Sequence, residues 1–279
     1  MAEKNADQGG YHMKLSYTVA DATGSITLLV TTPVEPALRT QVGARLLPLE
    51  KKACQVAFLD QTDGTSRLAA AGGQFDANAA MILAALLAFE EHLAVGESQD
   101  LQLSVSGADG PVTCTVTPVW RCDMVTLTMP LPEKITDVAF PLSGGSVKLP
   151  VVSFPGADHI IVPAGMVDRT AAPELLTHWS ALLPAPAAGM LFWDEEAASF
   201  DPLLYVKAAA VARWVPSSAD GAAAIAAWLT MQRPADQALS LKQPGGTTAA
   251  VTRWRDGLTS LTVSGTVDLK EDKSADIIF

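Results

Sequence analysis

Ala69–Phe89 reads AAAGGQFDANAAMILAALLAF, and the turn Gly72-Gly73-Gln74-Phe75-Asp76-Ala77-Asn78 inside it decides how the rest of the chain is read. The glycine pair stops whatever precedes it. Asp76 and Asn78 are residue types that favour a helix start, where unpaired backbone N–H groups accept a side-chain oxygen or a bound anion. An apolar, alanine-rich, proline-free run follows. Taken alone, this is a capped and buried helix. A second copy changes the reading: Ser217–Trp228, SSADGAAAIAAW, repeats the plan of a polar turn, small residues and an apolar helix.

The repeat extends to both sides. Gln55–Asp60 lines up with Gly189–Asp194 at an offset of 134 residues. Leu103–Val105 with its glycine-rich turn lines up with Leu239–Leu241, Pro244, Gly245 and Gly246 at an offset of 136. Self-similarity on this scale predicts a duplicated domain. Two such halves would face two helix starts across a cleft, one contributing Asp76 and the other Ser218.

Composition bounds the function. The 279 residues are enough for two domains, and 49% apolar with 18% charged residues suits a globular chain. A net charge of -11 argues against nucleic-acid and anionic-membrane partners. The longest apolar run, Ala79–Phe89, is far short of the roughly 20 residues of a membrane span. No signal peptide is expected at the start, and the expectation is a cytoplasmic protein with a small-molecule substrate, with a homodimer as the candidate assembly. Cys54, Cys114 and Cys122 have no metal-ligand spacing; Cys54 and Cys114 read as buried inert thiols, and no metal site is expected.

Along the chain, residues 1–12 read as a leader or tag. Residues 13–131 form a first half and 132–266 a second, with Pro130-Leu131-Pro132 between them; residues 267–279 return to the first half. Helices are expected at Glu35–Leu47, from Asn78 to about Leu93, at Pro173–Leu183 and at Ser217–Met231, with Leu204–Trp214 among the strands. The expected fold class is α+β: two pseudo-symmetric halves, each a curved, mostly antiparallel sheet wrapped around a central apolar helix.

These residues resemble the diaminopimelate epimerase-like fold, and within it the histidine racemases of staphylopine-type metallophore pathways. The resemblance is carried by Gly72–Ala79 against G-(N/G)-E-F-C-G-N-A, by Asp158–Pro163, by Gly189–Phe192, by Trp214–Ala222 against W-E-N-S-C-G-S-G-T, and by Gln243–Gly246. It implies an enzyme that inverts an amino-acid α-carbon with no cofactor, pyridoxal phosphate included. Two cysteines would exchange the proton, and paired helix starts would hold the substrate carboxylate.

Both cysteines are replaced. Asp76 stands at the first position and Ser218 at the second; the glycines after them are Ala77 and Ala219, and Asp220 replaces a serine. Gln74 and Val215 stand where the family has acids, and Ser25 where it has an asparagine; Asn78, His159 and Gly221 keep the family type. The expected catalytic set is therefore Asp76, Ser218 and His159, with Asn78, Ala77, Gln74, Ala219, Asp220, Gly221 and Ser25 binding substrate. Asp76 would act as general acid and base. Ser218 lacks an activating neighbour in the sequence and reads as a hydrogen-bond donor. His92 and His178 read as solvated. One acid/base fits one-sided proton transfer on a small amino-acid-derived or carboxylate substrate better than two-base inversion. A dehydratase, lyase or pericyclase in the same cleft, or a retired racemase that only binds, are the alternatives.

Overall fold

The structure, a computed structural model, describes residues 3–4, 11–62, 65–70 and 72–278. Most of the expected leader, and Phe279, lie outside these. The strands of the first part are β1 (Glu3–Lys4), β2 (Tyr11–Ala22), β3 (Ser25–Val30), β4 (Ala53–Thr62), β5 (Thr65–Ala70), β6 (Gln99–Val105), β7 (Val112–Pro118) and β8 (Asp123–Thr128). Those of the second are β9 (Lys134–Leu142), β10 (Gly145–Phe154), β11 (Ala157–Pro163), β12 (Ala187–Asp194), β13 (Ser199–Val206), β14 (Val211–Trp214), β15 (Gln237–Gln243), β16 (Gly246–Trp254) and β17 (Leu258–Ile278). Among the described residues four α-helices accompany them: α1 (Arg39–Leu46), α2 (Ala77–Glu90), α3 (Ala172–Ser180) and α4 (Ala219–Gln232). The fold is mixed α+β, mostly sheet with few helices.

Pairings in the first part run β2–β3 antiparallel, β3–β4 parallel across α1, β4–β5 antiparallel, β5–β6 parallel across α2, then an antiparallel meander to β8. In the second they run β10–β11 antiparallel, β11–β12 parallel across α3, β12–β13 antiparallel, β13–β15 parallel across α4, then antiparallel to β17. β17 is long enough to pair with β16 and β8 through its first stretch and with β2 from Val267 to Ile278.

α2 is buried on every face over Ala77–Ala85, as expected of a helix without a polar stripe. It packs on β2, β3, β5, β6, β7, β8 and β17, while α4 packs on β10, β11, β15, β16 and β17. One apolar core joins both helices; smaller ones lie under α1 and α3, the latter with Trp179 stacked on Phe140 at 4.7 Å.

Two expectations shift. The helix expected at Glu35–Leu47 begins as a 3-10 turn at Pro36–Leu38 and is helical only from Arg39. The strand expected at Leu204–Trp214 is two: a 3-10 turn at Lys207–Ala209, closed by Ala210 with φ +52°, folds β14 back on β13. An alanine in that region gives no sequence warning of a turn.

Candidate active site

The turn Gly72–Asp76 is braced from both parts of the chain. Ser106 Oγ donates to the Gln74 carbonyl at 2.9 Å, and Phe75 N donates to the Pro155 carbonyl at 3.3 Å. Gly107 (φ +79°) and Gly156 (φ +83°) lie against its backbone, where a Cβ on Gly156 would come within 2.8 Å of Gln74 Cα. So held, Asp76 becomes the N-cap of α2, with its Oδ1 accepting from Ala79 N at 2.9 Å. Ser218 is the N-cap of α4, its Oγ accepting from Gly221 N at 3.0 Å.

The two helix starts cap one another. Asp220, in the first turn of α4, accepts from Ala77 N at 3.2 and 3.3 Å through its two oxygens. Asn78 Oδ1, from α2, accepts from Ala219 N at 3.0 Å, and Asn78 Nδ2 donates to the Ser217 carbonyl. Gln55 supports Asp76, donating from Nε2 to its Oδ1 at 3.2 Å and to Thr27 Oγ1 at 2.9 Å. Gln243 accepts from Ser218 N at 2.6 Å.

A cavity of about 310 Å³ opens beside these starts, within the size range of small-molecule sites. Asp76, Asn78, Gln74, Ser218, Asp220 and His159 line it together with Val215. Ala77, Ala219, Gly221 and Ser25 do not. The N–H groups of the first three are spent within the protein, and Ser25 is fully buried. Those four expected ligand contacts are therefore behind the cavity wall. His92 and His178 are exposed, away from it.

Part of the cavity wall is a flat patch of sheet. Cross-strand register sets Ala157, Ala187, Val206 and Val211 in one row and His159, Gly189, Leu204 and Arg213 in the next. Residues directly opposite share a face. Gly189 is what admits the histidine: a Cβ there would stand 2.9 Å from His159 Nδ1. Neither ring nitrogen of His159 has a partner among the described residues, and Gln74 Oε1 is likewise unpartnered. α1, the residue capping its end and the start of β4 add Gly43, Ala44, Leu47 and Cys54 to the wall. Cys54, expected to be buried, is half-exposed at this wall; Cys114 is buried as expected.

The cavity sets the protonation states. Asp76 and Asp220 keep some exposed surface only because they border it, and protein surrounds them otherwise. Burial pushes Asp76 up, against the N–H of Ala79, the Gln55 amide and the N–H of Asn78, which pull it down. Burial first, then the charge of Asp76, pushes Asp220 up to about 8, against the N–H groups of Ala77 and Asp220 itself. Asp220 thus keeps its proton near neutral pH. Burial lowers His159 to about 4 despite the nearby Asp158, so its ring is neutral.

Sequence reading missed Gln55, Gln243 and Arg213. Arg213 was hidden by the unforeseen turn after β13, which brings it opposite Leu204. Among the described residues no group of three or more His, Cys, Asp or Glu side chains is placed to hold a metal ion, and no helix is long and apolar enough to cross a membrane.

The chain is 24% identical over 244 residues to the histidine racemase of Staphylococcus aureus (strain Mu50 / ATCC 700699), covering 83% of this chain and 86% of that one. The fold resembles a hydroxyproline epimerase from Agrobacterium vitis, with TM-score 0.71, 13% identity and coverage of 95% of this chain and 93% of that one. It also resembles a PhzF-family phenazine biosynthesis protein from Bacillus anthracis, with TM-score 0.63, 11% identity and coverage of 94% and 99%. The model of the histidine racemase CntK N-terminal domain matches residues 14–273. The chain belongs to that family and is an isomerase of the racemase type.

Proposed function

We propose that the protein is a cofactor-independent isomerase that moves a proton on a small carboxylate or amino-acid-derived substrate, with carboxyl groups in place of the family's thiols. The observation that carries this is the placing of Asp76 and Asp220 at one cavity, with Asp220 accepting from the N–H of Ala77, the residue that follows Asp76. A pair holding one proton offers a base and an acid side by side. Asp76, ionised, takes the proton from a carbon next to a carbonyl group; Asp220, neutral, gives one to the substrate; the pair then holds its one proton on Asp76, and transfer back to Asp220 restores the starting form. His159 and Asn78 orient the substrate.

Ser218 takes no proton in this scheme. Its hydroxyl accepts from Gly221 N, and among the described residues no His or carboxylate is bonded to it. Both active groups therefore lie at one meeting of helix starts, which favours a one-sided proton shift over two-sided inversion. The pairing order around α1 and α2 recurs around α3 and α4, supporting descent from a duplicated half wrapped around one helix.

The test is incubation in D2O with a panel of amino acids and unsaturated carboxylates, including L-histidine and trans-4-hydroxy-L-proline, read by NMR. Deuterium should enter one position of at least one member, and Asp76→Asn should abolish the entry. No exchange with any member, or exchange undiminished in Asp76→Asn, counts against the proposal. The reciprocal capping favours one second reading: with the helix-start N–H groups already satisfied, the cavity could bind a ligand without transforming it.

A further inference from the structure

The resemblance assigns the substrate's acid group to the helix starts, yet here those donors are occupied. Ala77 N serves Asp220, Asn78 N and Ala79 N serve Asp76, Ala219 N serves Asn78, and Gly221 N serves Ser218. A substrate carboxylate seated there would have to displace the protein's own. A cation faces the same cavity. Arg213 is half-buried in its wall, and its Nη1 donates to the Ala53 carbonyl at 3.2 Å. Arg39, Arg169, Arg233, Arg253 and Arg255 each pair with a carboxylate, whereas among the described residues Arg213, like the exposed Arg45, Arg67 and Arg121, makes no ion pair, and of these four it alone lines the cavity. A guanidinium has five N–H donors, so four remain to serve a ligand. In a chain of net charge -11, an unpaired arginine facing a largely apolar cavity is a feature to account for.

Register adds a second contact. His159 and Arg213 stand in one row, separated by Gly189 and Leu204, three strand spacings or about 14 Å between backbones. His159 is buried with both ring nitrogens unpartnered. Between the two ends lie Leu204, the Cβ-less Gly189 and the Ala187–Val206 row, which suit an apolar body. Val215 is a cavity residue where the resembling enzymes carry an acid, so nothing at that position calls for a cation on the ligand.

We infer that Arg213 binds the acid group of the substrate and His159 a neutral hydrogen-bonding group at its other end, so that the substrate class is an elongated monocarboxylate with an apolar middle. This rests on reading the cavity as the reaction site, with the Asp76–Asp220 pair beside the middle of the ligand.

The test is calorimetric binding of 3-(4-hydroxyphenyl)propionate, its primary amide, and 3-phenylpropionate to the full chain. The hydroxylated acid should bind at least tenfold more tightly than the amide and more tightly than the unhydroxylated acid. Arg213→Gln should erase the preference for acid over amide while Arg213→Lys keeps part of it, and His159→Phe should erase the gain from the hydroxyl. Equal binding of acid and amide, absence of binding by all three, a hydroxyl that adds nothing, or a preference that survives Arg213→Gln overturns the inference. The native-chain comparison decides even where a variant fails to fold. Because no turnover is read, this can fail while deuterium exchange succeeds, and the reverse.

Discussion

Asp220 of α4 accepts a hydrogen bond from the backbone N–H of Ala77, the first residue of α2, at 3.2 Å. Asn78 answers from α2 by capping Ala219. The family resemblance places substrate between two helix starts; here a protein carboxylate occupies one of those positions. It sits against the residue following Asp76, so two acids share one desolvated corner. Helix N-termini favour the ionised form, but burial and like charge outweigh them for Asp220.

That balance predicts the pH dependence of activity. On the proposed scheme the pair works with one proton, and above about 8 Asp220 gives that proton up. Deuterium exchange should therefore fall as pH rises through about 8. Asp220→Asn removes the titrating group, and its residual exchange should lose this falling limb. A limb unchanged in Asp220→Asn assigns it to another group.

Stability should follow the same protons. Folded Asp220 keeps its proton up to about 8, whereas in the unfolded chain it ionises near the ordinary 3.8, so stability drops as pH rises between those values. His159 acts in the opposite direction: neutral in the fold down to about 4 and protonated when unfolded below 6.5, it adds stability as pH rises over that span. The two slopes oppose below 6.5. From 6.5 to 8 His159 no longer counters Asp220, and urea unfolding should show a decline on the order of 1 kcal/mol. Asp220→Asn should flatten it, and His159→Phe should extend the decline to lower pH.

The helix starts were legible because capping is local chemistry. Asp76 and Ser218 announce themselves next to apolar runs, and the repeat offset implied that the two belong together. Both line one cavity, as two facing helix starts would. Asp220 was visible as a residue but not as an acid, since its proton is held by burial and by a charge 144 positions away. Gln55, on β4, reaches Asp76 at the start of α2, a contact that no pattern within either segment encodes. Arg213 was lost for a different reason. Reading Leu204–Trp214 as one strand puts Arg213 far from Leu204, and only the left-handed Ala210 brings the two opposite.

Gly189 carries a prediction about packing. A methyl at this position would lie 2.9 Å from His159 Nδ1 and 3.1 Å from Leu204 Cδ2, so the imidazole must move. Gly189→Ala should destabilise the fold by about 1–3 kcal/mol, the range of overpacking. In the double variant Gly189→Ala/His159→Ala most of that cost should vanish, because the clashing ring is gone. Additive losses in thermal unfolding would mean that Leu204 or the strand backbone, not His159, sets the constraint.

Cys54 separates carboxyl from thiol chemistry. It stands where the register of β4 against β3 shifts, lines the cavity wall and donates to the Lys52 carbonyl at 3.7 Å. Asp76, by contrast, is an N-cap tied to Gln55 and adjoining Asp220. If the carboxyl pair moves the proton, Cys54→Ala should keep deuterium exchange within about twofold, while Asp76→Asn should lower it by the 10²–10⁴-fold typical of a lost acid/base. Alkylating Cys54 with a bulky reagent should still inhibit the native chain, because the adduct fills the cavity, and Cys54→Ala should be immune. Near-complete loss of exchange in Cys54→Ala would instead make the thiol the base and leave Asp76 as a structural cap.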